Sequence, residues 1–111
     1  DREQIDWFFG HYLRDPRDGA DWRFAPQWAT QHQGVAAAWI AVAGCDPLRD
    51  EGLAYGALLR RAGVKVEVTE WPGVTHNFIK MSRALPEAVQ AVEAAALALR
   101  TAQDQSGAVS A

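Results

Sequence analysis

The sequence predicts an α/β fold in which parallel strands are joined by a helical crossover and a long helix closes the chain. Three observations carry that prediction. The run "AWIAVA", residues 38–43, is bounded by Gly34 upstream and Gly44 downstream and has the length of a strand buried on both faces. The segment "VKVEVTEW", residues 64–71, alternates Val64, Val66 and Val68 with Lys65, Glu67 and Thr69, the two-residue period of a strand. Between them, Tyr55, Leu58, Leu59 and Ala62 mark one face of a helix from about Asp50 that Gly63 ends. Strand, helix and strand at this spacing make a βαβ unit, with parallel strands and a right-handed crossover.

The remaining elements come in chain order. Ile5, Phe8, Phe9, Tyr12 and Leu13 recur at helical spacing, so residues 3–13 read as a short amphipathic helix. Pro16 and Gly19 among charges then signal a loop. "DWRFAPQWATQHQG" has no clean period, and Trp22, Phe24 and Trp28 suggest a loop packed onto the core. After the second strand, Leu85, Ala88, Val89, Val92, Ala96 and Leu99 trace a long helical stripe, with Pro86 at a tolerated first-turn position. The structured domain is expected over 1–102, with 103–111 a disordered tail. Two or three parallel strands need both faces covered and leave open edges, at which a second copy could pair to give a homo-oligomer. The chain begins at Asp1 and its sole methionine is Met81, which reads as a fragment or a processed product, and the uncovered sheet favours a fragment, the C-terminal part of a larger sheet.

Composition removes several functional classes. Hydrophobic residues make up 49% and charged residues 23%, as in an ordinary globular domain. A formal net charge of −3 without a Lys/Arg cluster gives no basis for nucleic-acid binding. The longest apolar run, Val35 to Cys45, is far short of the ~20 residues of a membrane span. Cys45 is the only cysteine, which excludes an internal disulfide and fits a reducing, cytoplasmic setting.

In open α/β sheets, ligands bind beyond the carboxyl ends of the strands. Asp46 lies just past the first predicted strand and His76 in the loop after the second. Neighbouring strands are ~4.8 Å apart, so loops leaving one sheet end can bring a carboxylate to an imidazole. An Asp accepting from one ring nitrogen fixes the tautomer of a His whose other nitrogen acts as a general base. Asp46 before Pro47 equally suits a cap or turn at a helix entry, and His76 alone in a glycine-containing loop equally suits an incidental polar residue. Asp50 and Glu51 suit the first turn of a helix, where negative charge favours the dipole. With Asp46 and His76 they match no recognised metal-ligand spacing. His11 and His32 read as structural or solvated, and Cys45 as a small buried residue beside the strand end rather than a nucleophile.

"DPLRDEG" together with "LAYGALLRRAGVKVEVTEWPGVTHNF" resembles the C-terminal portion of α/β-hydrolase esterases of the hormone-sensitive lipase family. There a D-P-L-x-D-E-G segment carries the acid of a Ser-His-Asp triad, and an H-G-F segment after the last strand carries the base. "REQIDWFFGHYL" is similar to that family's helix upstream of the acid strand. The resemblance covers roughly residues 1–100 and implies the C-terminal part of an α/β-hydrolase fold. It makes Asp46 the triad acid and His76 the base in the hydrolysis of a small-molecule carboxylic ester, with no metal or organic cofactor. Two features depart from the pattern. Asn77 stands where the family has glycine after the base, and Asn tolerates left-handed backbone angles better than most residues.

The second departure is an absence: no G-x-S-x-G elbow or H-G-G-G segment occurs in the sequence. The only serines, Ser82, Ser106 and Ser110, come after the acid and base, whereas in this chain order the nucleophile precedes them. The 111 residues alone are therefore expected to be inactive, with the nucleophile and oxyanion hole in a missing N-terminal part. Two rivals stand beside the ester hydrolase: a peptidase or lactone hydrolase of the same fold, and a non-catalytic α/β-hydrolase-like remnant serving as a binding module.

Overall fold

A computed structural model describes residues 2–107. The elements run α1 (Arg2–Tyr12), β1 (Ala38–Ala43), α2 (Arg49–Arg61), β2 (Val66–Trp71) and α3 (Pro86–Gly107). Single turns of 3-10 helix at Pro16–Ala20, Pro26–Trp28 and Phe78–Lys80 punctuate the loops. Strands β1 and β2 pair in parallel, with Ala38 opposite Val66, Ile40 opposite Val68 and Ala43 opposite Trp71. The predicted order of elements and the parallel βαβ unit are both present.

The strand period divides the sheet into two faces. Ile40, Val42, Val66 and Val68 face α2, because side chains added at Gly52 and Gly56 would meet Val42, Val68, Ile40 and Val66. Trp71 and Ala43 face the other way, into a cluster with Val74, Phe78, Ala88 and Ala91, against which Trp39, Leu85 and Ala94 pack. The Trp71 ring lies 6.1 Å from Trp39 and 5.7 Å from Phe78 between centroids. Helices thus cover both faces of the two-stranded sheet, α2 on one and α3 on the other.

Both helices meet the sheet through faces rotated from those expected. On α2 the buried residues are Gly56 and Leu59, while Tyr55 and Leu58 are half-buried. An ideal Cβ on Gly52 would stand 2.8 Å from Val42 Cγ1, and one on Gly56 2.9 Å from Val68 Cγ2, so the glycines let the helix axis approach closely. On α3 the buried positions are Ala88 and Ala91, whereas Val89, Val92 and Leu99 of the expected stripe are exposed. The large rings of Trp71 and Phe78 fill that space, and alanine is what fits opposite them.

The C-terminus of α2 matches the prediction closely. Gly63 has φ +81°, its N–H donates to Arg60 O at 3.0 Å, and Val64 N–H donates to Leu59 O at 3.1 Å. This is the Schellman pattern, with Leu59 and Val64 both buried at the apolar positions that accompany it. Helix α3 continues through Gly107, past the boundary expected at 102, since no Gly or Pro interrupts residues 87–106. The rest of the expected disordered tail, 108–111, lies outside the described residues.

The loop after α1 departs from expectation. Trp22 and Trp28 are 60% and 62% exposed rather than packed on the core. Phe24 instead stacks against α1, 5.2 Å from the Phe9 ring and 5.7 Å from Tyr12. Local closure explains this: the Asp15 and Asp21 carboxylates each accept the backbone N–H and the guanidinium of the residue two along, Arg17 and Arg23. The segment is held by its own short-range bonds and by α1. Among the described residues, no helix is long and apolar enough to cross a membrane.

Candidate active site

Past the carboxyl ends of the strands, the hydrogen-bond ladder continues into the two loops. Gly44 N–H donates to Trp71 O at 2.8 Å, and Cys45 N–H donates to Val74 O at 2.9 Å. The backbones cross so closely at Gly44 that a Cβ there would lie 2.9 Å from Pro72 Cα and 3.2 Å from Gly73 N. Gly73 itself turns the chain at φ +80°, a conformation other residues adopt at a cost. Three features therefore zip the Asp46 loop to the His76 loop: strand register, two backbone bonds and a glycine crossing.

Asp46 emerges next and uses both carboxylate oxygens. Oδ1 accepts the Leu48 N–H at 2.9 Å, and the Asp46 carbonyl accepts Arg49 N–H at 3.1 Å, which closes the turn into α2. Oδ2 lies 2.6 Å from His76 Nδ1. An ionised carboxylate can only accept, so Nδ1 carries the proton and donates it, leaving Nε2 the basic nitrogen. The Asp46 side chain is 9% exposed and that of His76 59%, so the acid is enclosed and the imidazole open. The two readings of Asp46, turn former and partner of a base, are met by different oxygens of one side chain.

Two residues past His76, Phe78 is 4% exposed and anchors the loop in the cluster with Trp71, Ala88 and Ala91. Phe78 N–H donates to Thr75 O at 3.0 Å, wrapping His76 into a tight turn. Asn77 sits at φ −93°, ψ 15°, so no left-handed backbone is needed where the family pattern has glycine.

Residues that sequence patterns did not single out complete the frame. The Arg49 guanidinium grips Glu70 of β2 with two bonds, Nε to Oε1 at 2.8 Å and Nη2 to Oε2 at 3.1 Å, while Nη1 donates to Asp50 Oδ1 at 2.7 Å. These bonds hold the Glu70 carboxyl below the usual range and raise the Arg49 guanidinium. The only sequence signal for the pair is Arg49 inside "DPLRDEG"; its partner lies twenty-one residues away, and no local pattern links them. Gly52 and Gly56 were equally silent, since a glycine carries no apolar mark.

The other candidates stand apart. The Asp50 side chain is 88% exposed, and Glu51 is exposed on the first turn of α2. His11 Nδ1 pairs with Trp7 O at 2.8 Å and His32 Nε2 with Pro26 O at 2.9 Å, as structural histidines do. Cys45 is exposed, contrary to the burial expected of it, because the turn at Gly44 ends the strand's inward face at Ala43. A groove of about 410 Å³ opens between the later turns of α3 and Ala37, Ala38, Trp39 and Lys65. It lies at the opening end of the strands, away from Asp46 and His76.

Comparison with known proteins gives these positions a context. The family model for the alpha/beta hydrolase fold matches residues 1–80. An ethyl acetate hydrolase from Pseudomonas putida is 40% identical over 86 residues, covering 78% of this chain and 27% of that protein. The carboxylic ester hydrolase LipN from Mycobacterium tuberculosis is 47% identical over 81 residues, covering 72% of this chain and 22% of that protein. Among solved structures, a hyperthermophilic esterase from Pyrobaculum calidifontis superposes with a TM-score of 0.86 at 30% identity, over 89% of this chain and 32% of that one. The chain thus spans about a quarter of the length of the two curated relatives.

Proposed function

Because the chain belongs to the α/β-hydrolase fold family, we propose that the protein carrying it is a carboxylic ester hydrolase, with Asp46 and His76 as the acid and base of a Ser-His-Asp triad. The observation that supports this most is the 2.6 Å contact between His76 Nδ1 and Asp46 Oδ2 at the carboxyl end of the parallel strands. In the proposed reaction a serine outside these 111 residues attacks the acyl carbon of a small ester. His76 Nε2 takes the hydroxyl proton as the new C–O bond forms. Asp46 stabilises the resulting imidazolium, and backbone N–H groups outside this chain stabilise the oxyanion. The proton then passes to the departing alcohol as its C–O bond breaks. Water repeats the sequence on the acyl-enzyme and regenerates the serine.

The 111 residues alone should not hydrolyse esters, since none of their three serines precedes the acid. Among the described residues, each strand of the two-stranded sheet also presents one unpaired edge, which suits pairing between copies. The single cysteine is the reason for placing the protein in a reducing, cytoplasmic setting.

The test is hydrolysis of p-nitrophenyl butyrate by the product of the complete reading frame, beside its His76→Ala variant. Activity that falls by several orders of magnitude in the variant is the expected result. Activity that survives removes His76 from the mechanism. A product inactive on this and other short esters supports the binding-module reading instead.

A further inference from the structure

We infer that Arg49, through its paired bonds to Glu70, is a positioning residue for the Asp46–His76 relay; this rests on the triad reading above. The contacts form a closed circuit. From Asp46 the chain turns at once into α2, whose first residue is Arg49. The guanidinium crosses to Glu70 on β2, directly before Trp71. Trp71 leads through Pro72 and Gly73 into the loop whose His76 returns to Asp46 Oδ2. The ion pair therefore ties the start of α2 to the end of β2, and those two segments carry the acid and the base.

The circuit needs a tie at that point. Asp46 leaves the sheet before α2 begins, and its side chain depends on the Leu48 N–H for its orientation. The first turns of the helix carrying that turn meet the sheet through Gly52 and Gly56, and the large buried side chain of α2, Leu59, lies towards its far end. Displacement of those first turns would move Asp46 relative to His76. A bidentate guanidinium–carboxylate contact resists sliding in two directions, which a single ammonium contact cannot do. The Arg49 and Glu70 side chains are 34% and 35% exposed, so the tie is half-sheltered from solvent. The third contact, to Asp50, orients the remaining nitrogen.

The experiment compares Arg49→Met, Arg49→Lys and Glu70→Gln in the complete gene product. Arg23→Met serves as control, because Arg23 and Asp21 form a similar two-bond pair away from the relay. With p-nitrophenyl butyrate, Arg49→Met is expected to lower kcat roughly 10- to 100-fold at nearly constant KM, as misplacement of about an ångström does. Arg49→Lys should fall between wild type and Arg49→Met, and Arg23→Met should match wild type. A second readout is the low-field proton resonance of the His76 Nδ1–H. It should be present in wild type, absent from Asp46→Asn, and shifted or broadened in Arg49→Met and Glu70→Gln.

If Arg49→Met does not fold, Arg49→Lys and Glu70→Gln carry the same test. An unchanged kcat and resonance in the Arg49 and Glu70 variants, beside a normal wild type, overturns the inference. So does a kcat loss that Arg23→Met reproduces in step with its melting temperature. A wild type lacking the resonance and the activity refutes the triad reading itself, a separate failure.

Discussion

Replacing Asp46 by Asn tests the relay at one atom. In the folded chain Oδ1 accepts the Leu48 N–H at 2.9 Å, and Oδ2 faces His76 Nδ1 at 2.6 Å. An Asn side chain has one oxygen and one NH₂ group, and the backbone N–H of Leu48 can pair only with the oxygen. The turn thus decides the orientation of the amide and presents NH₂ to the imidazole. His76 then takes the tautomer with Nδ1 bare and the proton on Nε2, the nitrogen that in the proposed triad accepts from the serine. The turn survives, the helix entry survives, and the base is disabled.

Loss of the correct tautomer in a Ser-His-Asp triad costs ~10⁴ in kcat, or about 5.4 kcal/mol of transition-state stabilisation. The assay is kcat for p-nitrophenyl butyrate in the complete gene product, with ring-nitrogen NMR shifts of His76 reporting the tautomer. A variant within tenfold of wild type, or one with Nδ1 still protonated, would refute the reasoning.

The glycines supply a second prediction. Gly56→Ala places a Cβ 2.9 Å from Val68 Cγ2 and 3.4 Å from Ile40 Cδ1, and such overpacking costs about 1–3 kcal/mol. That exceeds or cancels the ~1 kcal/mol gained in helix propensity. Gly10→Ala in α1 meets nothing within 4 Å and keeps only a gain of about 0.5–1 kcal/mol, so its urea midpoint should rise while that of Gly56→Ala stays level or falls. A rise for both would remove the close helix–sheet seam. The third prediction concerns acid. Arg49 holds the Glu70 carboxyl below its ordinary 4.5, and Arg23 holds Asp21 at about 2 against an ordinary 3.8. Both groups have depressed folded values, so their stabilisation is complete above the unfolded values and is lost as pH falls through the folded ones. The melting temperature should be flat above pH 5 and decline from about pH 4.5 towards 2. Glu70→Gln should flatten the upper part of that decline, and an unaltered profile would count against the Arg49–Glu70 pair.

How far these features were legible in the sequence depends on the range over which each is encoded. Residues 38–43 announce β1 to the residue because a short apolar run between glycines leaves few alternatives. Gly63 announces the end of α2 because a left-handed C′ position selects glycine through its own backbone. Asp46 and His76 were legible through topology, since parallel strands must open their loops on one side. Helix faces were less so. The expected stripes included Ala88 but otherwise leaned on larger apolar residues such as Val89, Val92 and Leu99, whereas contact also runs through Gly52, Gly56 and Ala91, whose smallness answers to Val42, Val68, Trp71 and Phe78. The Arg49–Glu70 tie was invisible because each residue alone reads as a solvated charge. Trp22 and Trp28 misled because aromatic content does not say what a loop packs against.

The crossing at Gly44 places a demand on length rather than on chemistry. From the Ala43–Trp71 register, the carboxylate comes three residues on and the imidazole five. One inserted or deleted residue in either loop displaces the downstream side chain by up to about 3.8 Å of chain, many times the tolerance of a hydrogen bond. Evolution can therefore repaint the side chains around Cys45, Thr75 or Ser82 while the count from strand to acid and from strand to base stays locked. In a gene of this kind, single-codon insertions between Ala43 and Asp46, or between Trp71 and His76, are the changes the fold can least absorb.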